Sequence, residues 1–176
     1  MLIKFSEEQT MIRDMVREFT KKEVEPRDKW TDENGFDFNL YNRLCSTGLV
    51  GVHFPEEYGG AGCDAVTSTI VIHELSKGSA SLALALDISW VASDMILHNG
   101  TPEQKSKYLP LAAEGKIFAF GLTEASAGSD AARIQTTAVK APDGGWILNG
   151  GKSWITNSGV ADYSTLRCCK MPSSTC

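Results

Sequence analysis

The chain carries the sequence GLTEASAGSD at residues 121–130 and the sequence KSWITN at residues 152–157. The first segment combines small residues and hydroxyl groups with backbone N–H groups that glycine leaves accessible. The second segment has a large aromatic residue two positions before a threonine. We expect a strand here, in which both side chains point to the same face. Together the segments are typical of a site for a flat, polar-edged cofactor with a phosphate tail.

The sequence before these segments predicts helices. Ser6 and Gln9 have the spacing of a capping box, and apolar residues recur at helical intervals from Met11 to Phe19. Pro26 is expected to end this first helix. Further helices are expected after Asp37, after Asp64, over about residues 81–98 and after Thr101.

The pattern changes past residue 116 to short segments rich in Phe, Ile, Thr, Val and Trp. Turn sequences separate these segments, namely APDGG at residues 141–145 and NGG at residues 149–151. We therefore predict an α+β fold. An all-α helical bundle is expected over residues 1–116, and an incomplete antiparallel β-barrel-like domain over residues 117–176.

Composition and charge exclude several classes of protein. With 42% hydrophobic and 22% charged residues, the chain has an ordinary globular composition. Its net charge is -5 and basic residues are interspersed with acidic ones, so no nucleic-acid partner is expected. The apolar run Leu82–Leu86 is followed by Asp87 and Asp94, and it falls short of the ~20 apolar residues that span a bilayer. No targeting signal and no membrane partner are expected.

The five cysteines do not form a disulfide framework or a metal site by their spacing. Their number is odd, and Cys45 and Cys63 lie in segments that look like core and loop. Cys168, Cys169 and Cys176 crowd the end of the sequence without metal-ligand spacing. We expect a reducing, cytoplasmic location and no bound metal.

The two opening segments resemble the flavin site of the acyl-CoA dehydrogenases. The middle domain of that family carries a Thr-Glu-x-x-x-Gly-Ser-Asp signature and a downstream Trp-Ile-Thr strand, and both motifs stand here in the same order. Three more segments extend the resemblance over roughly residues 1–165: FPEEYGGAG at 54–62, HELS at 73–76 and GTPEQK at 100–105.

The resemblance implies FAD as the cofactor and assigns residues to its site. Phe120, Leu122 and Thr123 are expected along the flavin ring, and Ser129 is expected to reach both the cofactor and the acyl-CoA substrate. Trp154 is expected to pack against the ring with Thr156 near N5. The complete set of expected cofactor-binding residues is Phe120, Leu122, Thr123, Gly128, Ser129, Trp154, Ile155 and Thr156.

The resemblance also implies a reaction and its partners. The parent enzyme would oxidise an acyl-CoA to the 2,3-enoyl-CoA and pass electrons to electron-transfer flavoprotein, as a tetramer in its full-length form. In the family the catalytic base is a carboxylate of a C-terminal helical domain, so we expect no catalytic residue in this chain. We interpret the chain as truncated, since residues 166–176 lose the family's apolar character. We expect no turnover from it, since the domain that carries the base is not part of this sequence. Glu124 and Asp130 are assigned structural roles.

Other interpretations remain open on the residues alone. The chain could be a non-catalytic helical module that binds acyl-CoA or a partner, or a related flavin oxidase. The sequence GGKS at residues 150–153 mimics the end of a phosphate-binding P-loop, but five residues rather than four separate Gly145 from Gly151. The glycine-rich segment 55–62 could be a tight turn or a ligand loop.

Overall fold

The structure is a computed structural model that describes residues 4–27 and 34–170. The expectations for Cys176 and the rest of segment 171–176 lie outside the described residues. The helices are α1 Glu7–Phe19, α2 Phe38–Ser46, α3 Ala65–Ser76, α4 Ala80–Asn99 and α5 Pro102–Ala113. The strands are β1 Phe118–Gly121, β2 Thr137–Lys140, β3 Trp146–Asn149, β4 Tyr163–Leu166 and β5 Cys169–Lys170.

The predicted helix starts are confirmed by their caps. Ser6 and Gln9 form a reciprocal capping box at the start of α1, with both hydrogen bonds 3.1 Å long. The side chains of Asp37, Asp64 and Thr101 accept hydrogen bonds from the first turns of α2, α3 and α5. These bonds satisfy N–H groups that a helix start otherwise leaves unpaired.

The end of the first helix differs from the prediction. The α-helical hydrogen bonds stop at Phe19, and the chain continues as a π-helical turn over Thr20–Val24 and a 3-10 turn over Glu25–Arg27. Pro26 therefore lies inside the last turn. Because proline has no N–H group to donate, it is compatible with this short terminal turn but not with a longer helix.

Helix α4 is the centre of the core. Its indole residue Trp90 is buried and donates from Nε1 to the backbone oxygen of Val50 at 2.7 Å. Within the described residues, α4 is the one helix long and apolar enough to cross a membrane by length and composition. The apolar run itself is shorter than the helix, because Asp87 and Asp94 lie within the helix. The buried side of α4 comprises Leu82, Ala83, Ala85, Leu86, Ser89, Trp90, Ala92 and Ser93.

The strands form two small sheets that do not close into a barrel. Strand β1 pairs with β4, and the other sheet has the order β3-β2-β5. The α+β class is confirmed, and the antiparallel prediction holds for β2 and β3. The structure corrects it for the other two pairs, which are parallel. The long connection from Gly121 to Tyr163 lets the chain return to β1 in the same direction, which a short hairpin loop cannot do.

The glycine-rich segment after Phe54 is a packed turn. Gly59 and Gly62 have φ angles of 85° and 64°, a region that favours glycine. A Cβ atom added to Gly60 would meet the backbone oxygen of Phe54 at 2.0 Å. Gly62 donates its N–H to that same oxygen at 2.9 Å. These contacts favour the tight-turn interpretation of the segment.

A buried carboxylate joins α1 to α3. The Glu74 side chain is only 3% exposed, and Arg17 donates two hydrogen bonds to it, at 3.0 and 3.1 Å. Lys77 donates a third at 2.8 Å. The hydrogen bonds from Arg17, aided by Lys77, lower the pKa of Glu74 to about 2. Helix α1 is thus attached to the bundle by charge as well as by its apolar face.

We expect Glu74 to make stability depend on acid pH. Since its folded-state pKa lies below its ordinary value of 4.5, its contribution is present above that pH and is lost as the pH falls toward 2. The loss should be on the order of 2–3 kcal/mol in the free energy of unfolding. Urea unfolding of the wild type and Glu74→Gln between about pH 6 and about pH 3 measures it.

The wild type should lose stability more steeply with acid than Glu74→Gln does. The control Glu57→Gln removes an exposed carboxylate in a surface turn and should follow the wild-type slope. Equal slopes for the wild type and Glu74→Gln would contradict the expectation.

Candidate functional site

The structure brings the two motif segments side by side. Residues 121–130 leave the end of β1, and residues 152–157 pass next to them after the β2–β3 hairpin. The N–H group of Ser153 donates to the backbone oxygen of Thr123 at 2.9 Å. Trp154, the aromatic residue of the second segment, therefore comes directly after a residue that is hydrogen-bonded to the first segment.

The side chain of Lys152, the first residue of the second segment, extends toward the first segment. Its side chain is 8% exposed, and its Nζ atom lies 2.8 Å from Oε1 of Glu124. The same Nζ donates to the backbone oxygen of Leu122 at 3.1 Å and to that of Arg167 at 2.5 Å. The lysine side chain thus points inward, and no helix follows it. Both observations contradict the P-loop interpretation, in which the lysine would face a bound phosphate.

Glu124 is the acceptor for several donors. Its carboxylate accepts from the N–H groups of Gln135 at 2.7 Å and Thr136 at 3.0 Å, in addition to Lys152. Lys152, together with the donors at residues 135 and 136, lowers the pKa of Glu124 to about 2. Glu124 is thus ionised at neutral pH and fully engaged, which fits its assigned structural role rather than acid–base chemistry.

The turn after Glu124 leaves backbone donors exposed. Glu124 and Ala127 exchange two backbone hydrogen bonds, at 2.9 and 3.1 Å, which close the turn. Beyond it, the N–H groups of Gly128, Ser129 and Asp130 donate to no other group in the described part of the chain, and all three residues are exposed. A Cβ atom on Gly128 would meet nothing within 4 Å. Consecutive free N–H groups of this kind suit an anion.

The expected Trp-Ile-Thr strand is absent from this region. Trp154 lies in a bend with a φ angle of 61°, and Thr156 begins a turn. The alternation argument for Trp154 and Thr156 was therefore wrong. Asn157 has a φ angle of 67°, and these two left-handed positions prevent the extended path that a strand needs.

Asn157 attaches this turn to the core. Its Nδ2 group donates to the backbone oxygen of Ala85 in α4 at 2.8 Å and to that of Phe118 in β1 at 3.0 Å. Asparagine adopts the left-handed conformation more readily than other non-glycine residues. The turn that carries Trp154 is thus fixed against both a helix and a strand.

An apolar cleft of about 500 Å³ opens beside β1. Phe120 and Leu122 contribute to it from the first segment, and Met95 contributes from α4. Its remaining lining residues are Ala131, Ala132, Thr165, Leu166 and Arg167. Trp154 and residues 128–130 lie outside the lining of this cleft. Taken together the groups of the two segments fit a flavin, because an apolar wall suits the ring, an exposed indole suits its face, and free N–H groups suit its phosphates.

The expected site residues differ in how far they are exposed to solvent. Phe120, Leu122 and Thr123 are half-buried, as are Ile155 and Thr156, while Gly128 and Ser129 are exposed. Trp154 is 93% exposed, so its ring face is open. Sequence reasoning missed the roles of Lys152 and Asn157. Two signals for them were available in the sequence. Lys152 begins the segment that accompanies the glutamate-containing motif, and Asn157 directly follows Thr156.

Family models match both parts of the chain. The model for the acyl-CoA dehydrogenase N-terminal domain matches residues 6–116, and the model for the middle domain matches residues 119–175. An acyl-CoA dehydrogenase of Bacillus subtilis (strain 168) is 44% identical over 162 residues, which cover 89% of this chain and 42% of that protein. The chain spans about two fifths of the length of the curated relatives it matches.

Solved structures share the fold of the chain. An acyl-CoA dehydrogenase complexed with FAD from Bacillus anthracis has a TM-score of 0.89 and 37% identity, over 94% of this chain and 29% of that chain. A chain in the structure of an electron transferring flavoprotein of Acidaminococcus fermentans has a TM-score of 0.87 and 41% identity. This match covers 93% of the present chain and 44% of the other.

We expect Asn157 to stabilise the turn by two separable effects. Asn157→Gly removes both hydrogen bonds but permits the left-handed backbone, and it should cost about 1–3 kcal/mol in the free energy of unfolding. Asn157→Ala removes the same bonds and adds strain, so it should cost about 1 kcal/mol more. Urea unfolding measures both values.

The control Gly159→Ala lies in the same turn, where an added Cβ atom meets nothing within 4 Å. It should change stability by less than about 0.5 kcal/mol. An alanine variant at residue 157 as stable as the wild type would show that the turn does not depend on this anchor.

Proposed function

Because this chain belongs to the acyl-CoA dehydrogenase family, we propose that it binds FAD at the edge formed by residues 121–130 and 152–157. The site would serve the oxidation of an acyl-CoA to the 2,3-enoyl-CoA, with electrons passed to electron-transfer flavoprotein. The observation that carries the proposal is the hydrogen bond between Ser153 and Thr123, which joins the two motif segments. The FAD complex of the Bacillus anthracis relative supports the choice of cofactor.

Bound flavin would supply the acceptor for the electrons of this oxidation. The chain's own residues would hold and surround it. Met95, Phe120 and Leu122 offer an apolar wall that excludes water from one side. Trp154 offers an open aromatic face, and the free N–H groups of residues 128–130 offer donors for phosphate oxygens.

The acyl-CoA would approach through the same edge. Ser129 is exposed in the loop and carries a hydroxyl that can donate to a phosphate or accept from an amide. Glu124 does not serve as a base in this proposal, because its pKa of about 2 and its hydrogen bonds from Lys152, Gln135 and Thr136 make it a poor proton acceptor. The match to a chain in the structure of an electron transferring flavoprotein supports an electron-transfer partner for the family's reaction.

Replacing Trp154 tests the proposed site directly. Trp154→Ala removes an exposed ring, so the fold should persist, while the loss of stacking on the flavin should cost about 1–3 kcal/mol of binding free energy. The dissociation constant for FAD should rise about 5- to 150-fold. A titration followed by flavin fluorescence measures this constant for the wild type and the variant.

The control is Trp146→Ala, which removes another exposed indole from β3, outside both motif segments. Its FAD affinity should stay within about twofold of the wild type. Equal losses in the two tryptophan variants would contradict the proposed site. If the chain bound acyl-CoA but no FAD, the alternative of a non-catalytic binding module would replace the proposal.

A further inference from the structure

Lys152 links the two motif segments through its hydrogen bonds, and we call this lysine with its three acceptors the clasp. Its ammonium group has three N–H donors, and three acceptors surround it: the carboxylate of Glu124 and the backbone oxygens of Leu122 and Arg167. Leu122 follows β1, Arg167 follows β4, and Lys152 itself precedes Trp154. One side chain thus connects the ends of two paired strands to the segment that carries the exposed indole.

We propose that Lys152 is a positioning residue for FAD, which sets cofactor affinity by holding Trp154 in place relative to Thr123. The inference rests on the proposed function of this edge. Lys152 does not need to contact the flavin to do this, since its N–H donors already have acceptors and its side chain is only 8% exposed. It acts through the backbone on either side of it.

The placement of Trp154 explains why such a clasp is needed. Its side chain is 93% exposed, so packing does not fix it, and its backbone lies in the left-handed region, which few non-glycine residues adopt. Its position therefore depends on the flanking residues: Lys152 and Ser153 before it, and Asn157 after it. Ser153 contributes one backbone hydrogen bond to Thr123, whereas Lys152 binds residues on both sides of Thr123.

Burial of both charges tightly constrains the geometry of the Lys152–Glu124 pair. A buried ammonium beside a buried carboxylate is tolerated only when both are fully hydrogen-bonded. Glu124 meets that condition with the N–H groups of Gln135 and Thr136, and Lys152 meets it with two backbone oxygens. A small shift of either segment would break several of these bonds at once, so the pair favours one relative position.

The test compares three variants for FAD affinity, for emission of the bound flavin and for stability without FAD. Lys152→Met removes the clasp, and the double variant Glu124→Gln/Lys152→Met removes both charges, so that no uncompensated charge stays buried. Lys116→Met is the control, because Lys116 forms an exposed ion pair with Asp162 away from the motif segments.

We expect the double variant to fold and to bind FAD about tenfold or more weakly than the wild type. At saturating FAD its bound flavin should be more fluorescent, because an indole that is no longer held against the ring quenches it less. The Lys116→Met control should match the wild type in both measurements. Lys152→Met should show the same flavin emission as the double variant, with a larger loss of stability from the unpaired Glu124.

Other results would overturn the inference. A double variant with wild-type affinity and emission would show that the clasp does not position the site. Weaker binding with unchanged emission of the bound flavin would instead assign Lys152 a direct contact with the cofactor phosphates. If the wild type and Lys116→Met also fail to bind FAD, the proposed function itself fails, which the control separates from failure of the clasp alone.

Discussion

One face of helix α4 positions the whole β region through polar contacts. Ser89 accepts from the N–H of Phe118 in β1 at 2.8 Å and donates to its backbone oxygen at 3.3 Å. The backbone oxygen of Ala85 accepts from Asn157, and that of Ala92 accepts from Thr165 in β4. Positions 85, 89 and 92 share one helix face. Hydrogen bonds to one helix therefore fix the positions of β1, β4 and the turn after Trp154.

The site has an ion pair inside, and Asp130 and Arg167 are charged residues at its exposed side. The ionised pair Glu124 and Lys152 lies inside, where it holds chain segments together. The outward side also presents an indole, hydroxyls and backbone N–H groups, and these groups do not change protonation near neutral pH. Such a surface suits a cofactor that does its own redox chemistry, because the protein has only to bind and orient it.

Local signals predicted most of the helical half, since a cap such as Asp64 and the apolar period after it are both short-range. The parallel pairing of β1 with β4 could not be predicted, because it depends on contacts between distant segments. The same holds for Trp154, whose strand prediction failed because Asn157 is anchored to α4 and β1. Motif resemblance indicated the candidate site, whereas the buried partners of Lys152 could be identified only from the fold.

The visible absorption spectrum of the purified, desalted chain tests the central claim most directly, namely that residues 121–130 and 152–157 together form a flavin site. A flavin reports its own presence by colour, and the described edge has the apolar wall, the aromatic face and the N–H donors it requires. The account predicts a yellow protein with near-stoichiometric flavin, either as purified or after FAD is added. A chain that is folded yet stays colourless after addition of FAD and desalting would contradict it.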